Sequence, residues 1–253
     1  MGARSAACAA AADAASAAMM TSRGHSLQAA FFDMDGLLVD TEPLWFEVEH
    51  AVMSKLGGDW TPQDQQVLVG GSLHRSVDYL LSRASRSASH DEVADWLIGG
   101  MADLLAEREA AMMPGASELL GQVEAAGIPR MLVTSSERVI MDAVLASLAR
   151  YDIAFTATVS GSDVRHPKPH PEPYLRAAAL IGADPRLCVA LEDSPNGVAS
   201  ALAAGCVTIA VPSVAQVAPQ PGLTIVPSLS DVDLALLDGL VARAATTAVP
   251  PTR

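Results

Sequence analysis

Short apolar runs alternate with amphipathic stretches along much of the chain. The runs with the character of buried strands are residues 28–33, 128–136, 154–161, 187–194 and 206–212. The stretches with helical spacing of apolar residues are 116–127, 137–150, 171–183 and 196–205. This alternation favours an α/β fold, in which a Rossmann-like parallel sheet carries helices on both faces. The segment after Pro219 predicts one more strand and a terminal helix.

One long stretch breaks this alternation. From the end of the first strand to about residue 113, the apolar residues keep helical spacing and no clear strand run appears. We therefore expect a small all-helical cap domain, residues 43–113, inserted after the first strand. The α/β core then consists of residues 28–42 and 114–247. The alanine-rich residues 1–27 predict a disordered tail, or a start site placed too early.

Polar side chains follow the predicted strands at the points where these end. They are Asp33, Asp35, Thr134, Ser135, Ser136, Lys168, Glu192, Asp193 and Ser194. Because the carboxyl ends of parallel strands meet at one edge of a sheet, we expect these side chains to share a crevice. Clustered carboxylates repel each other and have raised pKa values unless a cation lies among them. A hard dication such as Mg²⁺ satisfies this requirement, and a phosphate ligand could bridge the metal and the lysine.

Composition narrows the choice of partners. The chain has 253 residues, a formal net charge of −13 and no basic stripe, which argues against nucleic-acid binding. It contains two lysines, and one of them, Lys168, is flanked by prolines in "HPKPHP", as suits a loop that presets a catalytic ammonium. Three scattered cysteines and the lack of an apolar run of membrane-spanning length favour a cytoplasmic protein without a membrane partner. A monomer is the default expectation.

Four motifs resemble those of the haloacid dehalogenase superfamily. They are "DMDGLLVDTE", "LVTSS", "KPHPEPY" and "ALEDSPNG", in that order, within a match that runs from about Gln28 to Pro212. Their context resembles the branch of helical-cap phosphatases and β-phosphoglucomutases, and within it the sugar- and polyol-phosphate phosphatases. The resemblance implies a Mg²⁺-dependent phosphatase that hydrolyses a small phosphorylated metabolite.

The resemblance also implies how the reaction proceeds. Asp33 would attack phosphorus and form an aspartyl-phosphate. Asp35 would be the general acid toward the leaving alcohol and then the general base toward water. Mg²⁺ would be bound by the carboxylates of Asp33 and Asp193 and by the backbone carbonyl of Asp35, and Glu192 would be a direct or indirect ligand.

The remaining motif residues are expected to bind the phosphate. Thr134 and the amide of Ser135 would donate to its oxygens, and Lys168 would neutralise charge on the nucleophile and the transferring group. Asn196, the single asparagine, lies in "EDSPNG" and is counted among the substrate-binding residues. Arg75 lies where the cap would face the crevice, either as a substrate contact or as part of an ordinary helix start.

Plainer interpretations stay open for several of these residues. Thr134 and Ser135 could cap the helix predicted to start at Glu137, in addition to binding phosphate. Glu192 and Asp193 could cap the following helix. The three tryptophans favour the core of the cap over substrate stacking, and the histidines of "HPKPHP" favour a loop over a zinc site.

A phosphomutase is the main alternative activity. Sugar phosphomutases of this branch carry a histidine where this chain has Trp45, and an arginine where it has Leu73. Both differences remove polar groups that would hold a bisphosphorylated intermediate, which favours hydrolysis. A catalytically silent binding relative is a further alternative, although the nucleophile is present.

Overall fold

The computed structural model of the protein describes residues 25–247. The predicted tail, residues 1–27, lies outside the described residues apart from its last three positions. These three pack against the core, because the amides of Ser26 and Leu27 donate to Asp238 Oδ1 and Leu27 is buried. The core therefore includes residues that the sequence analysis assigned to the tail.

A parallel sheet forms the centre of the fold. In the described part of the chain the strands are β1 (Ala29–Phe32), β2 (Val39–Asp40), β3 (Ala111–Met112), β4 (Arg130–Val133), β5 (Ala157–Val159), β6 (Cys188–Glu192), β7 (Val207–Ala210) and β8 (Leu223–Ile225). Six of them form the parallel sheet in the order β5-β4-β1-β6-β7-β8. From β1 the chain adds β4 and β5 on one side of the sheet, and then returns and adds β6, β7 and β8 on the other side. The switch point therefore lies between β1 and β6.

Helices cover both faces of the sheet. Within residues 25–247 they are α1 (Glu42–Lys55), α2 (Pro62–Leu68), α3 (Leu73–Arg83), α4 (His90–Glu107), α5 (Ala116–Ala125), α6 (Arg138–Leu148), α7 (Glu172–Ile181), α8 (Pro195–Ala203) and α9 (Leu234–Thr247). Neighbouring residues of β1 point to opposite faces, so that Phe31 packs with α7 and α8 while Phe32 packs with α5, α6 and α9. This arrangement confirms the predicted α/β fold class, including the last strand and the terminal helix.

In the sequence, the helical insert α1–α4 follows β1 and β2 and precedes β3 and the strands β4–β8 of the parallel sheet. Its helices begin at strong sequence signals: Thr61 and Asp64 form a capping box at α2, and Ser89 and Glu92 form another at α4. The long helix α4 packs against α6 of the core. The prediction that this stretch contains no strand is wrong, because β3 pairs antiparallel with β2 where the insert joins the core. The cap boundaries 43–113 stay a prediction.

Within residues 25–247, no helix combines the length and the apolar character that crossing a lipid bilayer requires.

Candidate active site

The carboxyl ends of β1 and β6 bring acidic side chains together at the switch point. Asp33 directly follows β1, and its amide donates to the carbonyl of Leu191 on the neighbouring strand at 3.1 Å. Glu192 ends β6 and Asp193 follows it. All three side chains are buried. One carboxylate oxygen from each of them lies within 4.8 Å of the other two. Residues 160 positions apart in the sequence thus form one cluster, as the sequence analysis expected.

Lys168 supplies the positive charge at this cluster. Its ammonium is buried and donates to Asp33 Oδ1 and to Glu192 Oε1, both at 2.6 Å, and to the carbonyl of Val133 at 2.8 Å. Burial acts to lower the pKa of Lys168, but the two carboxylates outweigh it and raise the pKa above its usual value. The ammonium therefore stays charged beside Asp33.

The acids remain crowded despite this lysine. Burial raises the pKa of Asp33 to about 8; Lys168 opposes the rise, and Glu192 and Asp35 add to it. Burial and the neighbouring Asp33 and Glu192 likewise hold the pKa of Asp193 well above its usual range, against a hydrogen bond from Ser213. One oxygen, Glu192 Oε2, is buried without a hydrogen-bond partner. Such a set of hard oxygen atoms suits a dication.

Asp35 lies at the same edge in a ring of donors. Its Oδ1 accepts from Thr41 Oγ1 at 2.6 Å and from the Trp45 indole nitrogen at 3.4 Å. Its Oδ2 accepts from Ser136 Oγ at 2.7 Å and from Thr134 Oγ1 at 3.2 Å. Hydrogen bonds on both oxygens fix the orientation of the carboxyl toward the cavity that Asp35 lines together with Asp33.

Thr134 and Ser135 follow β4 and line this cavity. The hydroxyl of Ser135 is buried without a hydrogen-bond partner, so it is available to an incoming oxygen atom. Neither residue caps the next helix: α6 begins at Arg138, and its N-cap, Glu137, makes no side-chain capping bond. The capping interpretation is therefore wrong for this pair.

Ser194, rather than Glu192 or Asp193, caps α8. Its hydroxyl accepts from the amide of Gly197 at 3.2 Å. The two acids are thus free of a capping role, and the alternative interpretation for them is wrong as well. Gly197 itself has no room for a side chain, because a Cβ there would lie 1.8 Å from Glu192 Oε2.

Two predicted substrate residues lie away from the cavity lining. Asn196 donates from its side-chain nitrogen to the carbonyl of Gly70 at 3.2 Å, which joins the core to the helical insert. Arg75 is exposed, and its guanidinium donates to the carbonyl of Val67 at 2.9 Å. Neither is among the residues that line the cavity.

The helical insert closes the cavity on the side opposite the sheet. Its lining residues are Glu42, Trp45, Glu49, Gln65, Leu68, Val69, Gly70, Gly71, Leu73 and Ser76. The sequence analysis missed most of these, because helical periodicity alone does not tell which face of an insert turns toward a site. It placed Ser136 in the predicted polar cluster, from the run of hydroxyls in "TSSE", but gave this residue no role. It missed Ser213, whose hydroxyl donates to Asp193 Oδ2 at 2.5 Å.

Comparison with known proteins decides the family. The haloacid dehalogenase-like hydrolases match residues 27–205, which is more than half of the 253 residues. The chain belongs to this family. Membership confirms both the predicted superfamily and the prediction of a hydrolase.

Individual members of the haloacid dehalogenase-like hydrolases are also similar to this chain. Hexitol phosphatase B of Escherichia coli (strain K12) is 35% identical over 191 residues, which cover 75% of this chain and 85% of the relative. A variant of CbbY from Rhodobacter sphaeroides, crystallised with xylulose-(1,5)bisphosphate, has a TM-score of 0.74 at 25% identity and covers 84% of this chain and 99% of its own. A β-phosphoglucomutase from Clostridium difficile has a TM-score of 0.74 at 21% identity, with coverage of 87% and 99%, and shares the fold.

Proposed function

We propose that the protein is a Mg²⁺-dependent phosphatase that hydrolyses the phosphate ester of a small sugar or polyol through an aspartyl-phosphate on Asp33. The observation that carries the proposal is the contact of the Lys168 ammonium with both Asp33 and Glu192, beside Asp193 and opposite Asp35. The similarity to hexitol phosphatase B supports the substrate class.

The residues present fit a magnesium ion. Three buried carboxyl groups lie together, and one of their oxygens, Glu192 Oε2, lacks a partner. Asp33 and Asp193 would hold the ion, with the Asp35 carbonyl and with Glu192 as a direct or indirect ligand. When bound, Mg²⁺ would neutralise negative charge on the phosphoryl group and on the nucleophile.

Asp33 is held ready as the nucleophile. Lys168 fixes one of its oxygens, and the same ammonium lies where it reduces repulsion between the carboxylate and an incoming phosphate dianion. Attack of the carboxylate on phosphorus breaks the bond to the leaving oxygen and forms the aspartyl-phosphate. The free hydroxyl of Ser135 and the hydroxyl of Thr134 lie at the cavity wall as donors to the phosphoryl oxygens.

Asp35 moves the protons of both half-reactions. In the first it gives a proton to the leaving alcohol, and in the second it takes one from the water that attacks the aspartyl-phosphate. Thr41, Trp45, Thr134 and Ser136 hold its carboxyl in place for both steps. Regeneration of Asp33 and release of inorganic phosphate complete the cycle.

The mutase alternative receives less support from the cavity. Trp45 and Leu73, which replace the polar residues of the mutases, both line the cavity wall. An indole and an isobutyl group offer no charge that would hold a second phosphate for return transfer.

The test is turnover of p-nitrophenyl phosphate with and without Mg²⁺. We expect Mg²⁺-dependent release of phosphate, lowered at least about 10³-fold in Asp33→Asn. Asp95→Asn, an exposed change on α4, serves as the matched control and should retain full activity. Conversion of β-glucose 1-phosphate to the 6-phosphate without net phosphate release would instead establish the mutase.

A further inference from the structure

The wall of the cavity formed by the helical insert has a polar composition of its own. Glu42 and Glu49 on α1 and Gln65 on α2 all line it. The Gln65 side-chain nitrogen donates to the carbonyl of Glu42 at 2.7 Å and to Glu42 Oε2 at 3.1 Å, which fixes the Glu42 carboxyl in place. These three residues, together with the indole of Trp45, face the space where the leaving alcohol of a substrate would lie.

Glu49 is the member of this group whose hydrogen bonding is incomplete. The residue is 4% exposed, yet its Oε2 atom has no hydrogen-bond partner. The indole nitrogen of Trp60 lies beside the carboxyl but makes no well-formed hydrogen bond to any group. A buried carboxyl oxygen without a partner costs free energy, and buried polar groups in native proteins are generally satisfied. Burial raises the pKa of Glu49, and the nearby Trp60 indole opposes this rise. Because Glu49 also lines the cavity, its carboxyl can bond to a ligand group there.

The charge around the cavity limits what that ligand group can be. Among the described residues that line the cavity, Asp33, Asp35, Glu42, Glu49 and Glu137 are acidic, and Lys168 alone is basic. The ammonium of Lys168 is already bound to Asp33 and Glu192. A second phosphate or a carboxylate at the wall formed by the helical insert would therefore be taken out of water without a cation to accompany it.

Hydroxyl groups match this wall. A hydroxyl group can donate to a carboxyl oxygen of this wall or to the side-chain oxygen of Gln65, whose side-chain nitrogen already donates twice to Glu42. The flat indole of Trp45 can cover the apolar C–H face of a carbohydrate chain. A site that hydrogen-bonds a substrate hydroxyl strongly rejects an analogue that lacks it, because its own polar groups are then left unpaired.

We propose that Glu42, Glu49 and Gln65 form a hydroxyl-binding subsite that selects a neutral, polyhydroxylated leaving alcohol and disfavours a substrate with a second anionic group. This inference rests on the proposed phosphatase function and specifies its substrate. It also separates this chain from CbbY, which was crystallised with a bisphosphate.

The first experiment compares three phosphate esters of six-carbon chains, with wild-type protein and Mg²⁺. Sorbitol 6-phosphate and 6-phosphogluconate have the same carbon chain and differ in a terminal hydroxymethyl against a carboxylate. Hexyl phosphate has the chain length and no further hydroxyls. We expect kcat/KM for sorbitol 6-phosphate to exceed that for each of the other two by about 10-fold or more.

The second experiment assigns the preference to named residues. The assay is run at about pH 9, above the raised pKa of each group, about 7 for Glu42 and about 8 for Glu49. In Glu49→Gln and in Glu42→Gln, the ratio of kcat/KM for sorbitol 6-phosphate to that for 6-phosphogluconate should fall by about 5-fold or more at this pH, because negative charge is removed at similar shape. Glu47→Gln is the matched control, since Glu47 lies on the same helix, is 54% exposed and pairs with Arg108. Its ratio should equal that of the wild type.

The outcomes separate this inference from the function it rests on. If p-nitrophenyl phosphate is hydrolysed with Mg²⁺ but the polyol ester and the carboxylate ester are used equally well, the subsite is refuted and the phosphatase stands. The subsite is likewise refuted if both glutamine variants keep the wild-type ratio. If no ester is hydrolysed, p-nitrophenyl phosphate included, both proposals fail.

Discussion

At the scale of single residues, the site is a set of buried polar groups of which most, but not all, have partners. Lys168 is satisfied by three acceptors, and Asp35 accepts from four donors. Ser135 Oγ, Glu192 Oε2 and Glu49 Oε2 have none. Unpaired buried groups cost free energy. Ser135 and Glu49 belong to the cavity lining, and Glu192 belongs to the acidic cluster with Asp33, so a ligand and a metal would supply the missing partners there.

Replacement of Ser135 tests whether its unpaired hydroxyl lowers the stability of the folded state. Its hydroxyl is buried and unpaired, so Ser135→Ala should leave the melting temperature unchanged or slightly raised. Inhibition by inorganic phosphate should weaken about 5- to 10-fold, because a donor worth about 1 kcal/mol or more is lost. Thermal unfolding and phosphate inhibition constants measure the two effects. A clear loss of stability with unchanged phosphate inhibition would show that the hydroxyl serves the fold.

At the scale of elements, the loop after α2 joins the helical insert to the start of α8. Gly70 has a φ of +66°, and its carbonyl accepts from Asn196. A Cβ at this position would lie 2.3 Å from Ser194 Oγ, inside any van der Waals contact. The backbone of the insert can approach the core this closely because residue 70 has no side chain.

Gly70→Ala should therefore lift this loop from the core and open the cavity. We expect kcat/KM to fall about 10-fold or more, since small displacements of closing groups have large effects on rate. Gly127→Ala is the matched control, because Gly127 has a similar φ of +71° but nothing within 4 Å of an added Cβ. That variant should lose about 1 kcal/mol of stability with unchanged kinetics. Equal kinetics for the two variants would refute the role of the loop.

At the scale of the whole molecule, buried acids couple stability to pH. Burial, reinforced by neighbouring carboxylates, raises the pKa of Asp33 to about 8, of Glu49 to about 8 and of Glu42 to about 7. In the unfolded chain these groups ionise near pH 4. Between the two values the folded state binds more protons than the unfolded state, so stability falls as pH rises through this window.

Without Mg²⁺, the melting temperature should thus be lower at about pH 8.5 than at about pH 5.5. The proposed Mg²⁺ ion would bind the ionised carboxylates of the folded state, so it should raise the melting temperature more at the higher pH. Differential scanning calorimetry at constant ionic strength measures both effects, with Asp193→Asn as the variant in which the Mg²⁺ effect shrinks. A melting temperature that rises with pH in the absence of metal would contradict the shifted pKa values.

Much of the fold and the centre of the site could be predicted from local patterns. The strands are short apolar runs, and Asp33, Thr134 and Glu192 stand at or directly after their ends, so the parallel topology was enough to bring them to one edge. Lys168 was identified from its proline-flanked setting in a chain with two lysines. These features depend on neighbours in sequence, which is why they could be inferred without coordinates.

Contacts between elements that lie far apart in the sequence could not be inferred from local patterns. Nothing in the periodicity of α1 shows that Glu42, Trp45 and Glu49 turn toward Asp35 rather than toward solvent or the interior of the insert. The predicted contacts of Arg75 and Asn196 with substrate depended on the same unknown orientation, and the structure places both outside the cavity lining.

The sequence by itself determined the α/β class, the helical insert after β1 and the cluster of acids with Lys168, because each depends on local spacing and on the order of the strand ends. Only the tertiary structure decided which side chains close the cavity and which buried groups are left without partners. These depend on how the insert packs against the core, and that packing is set by the shapes of surfaces whose residues lie far apart in the chain.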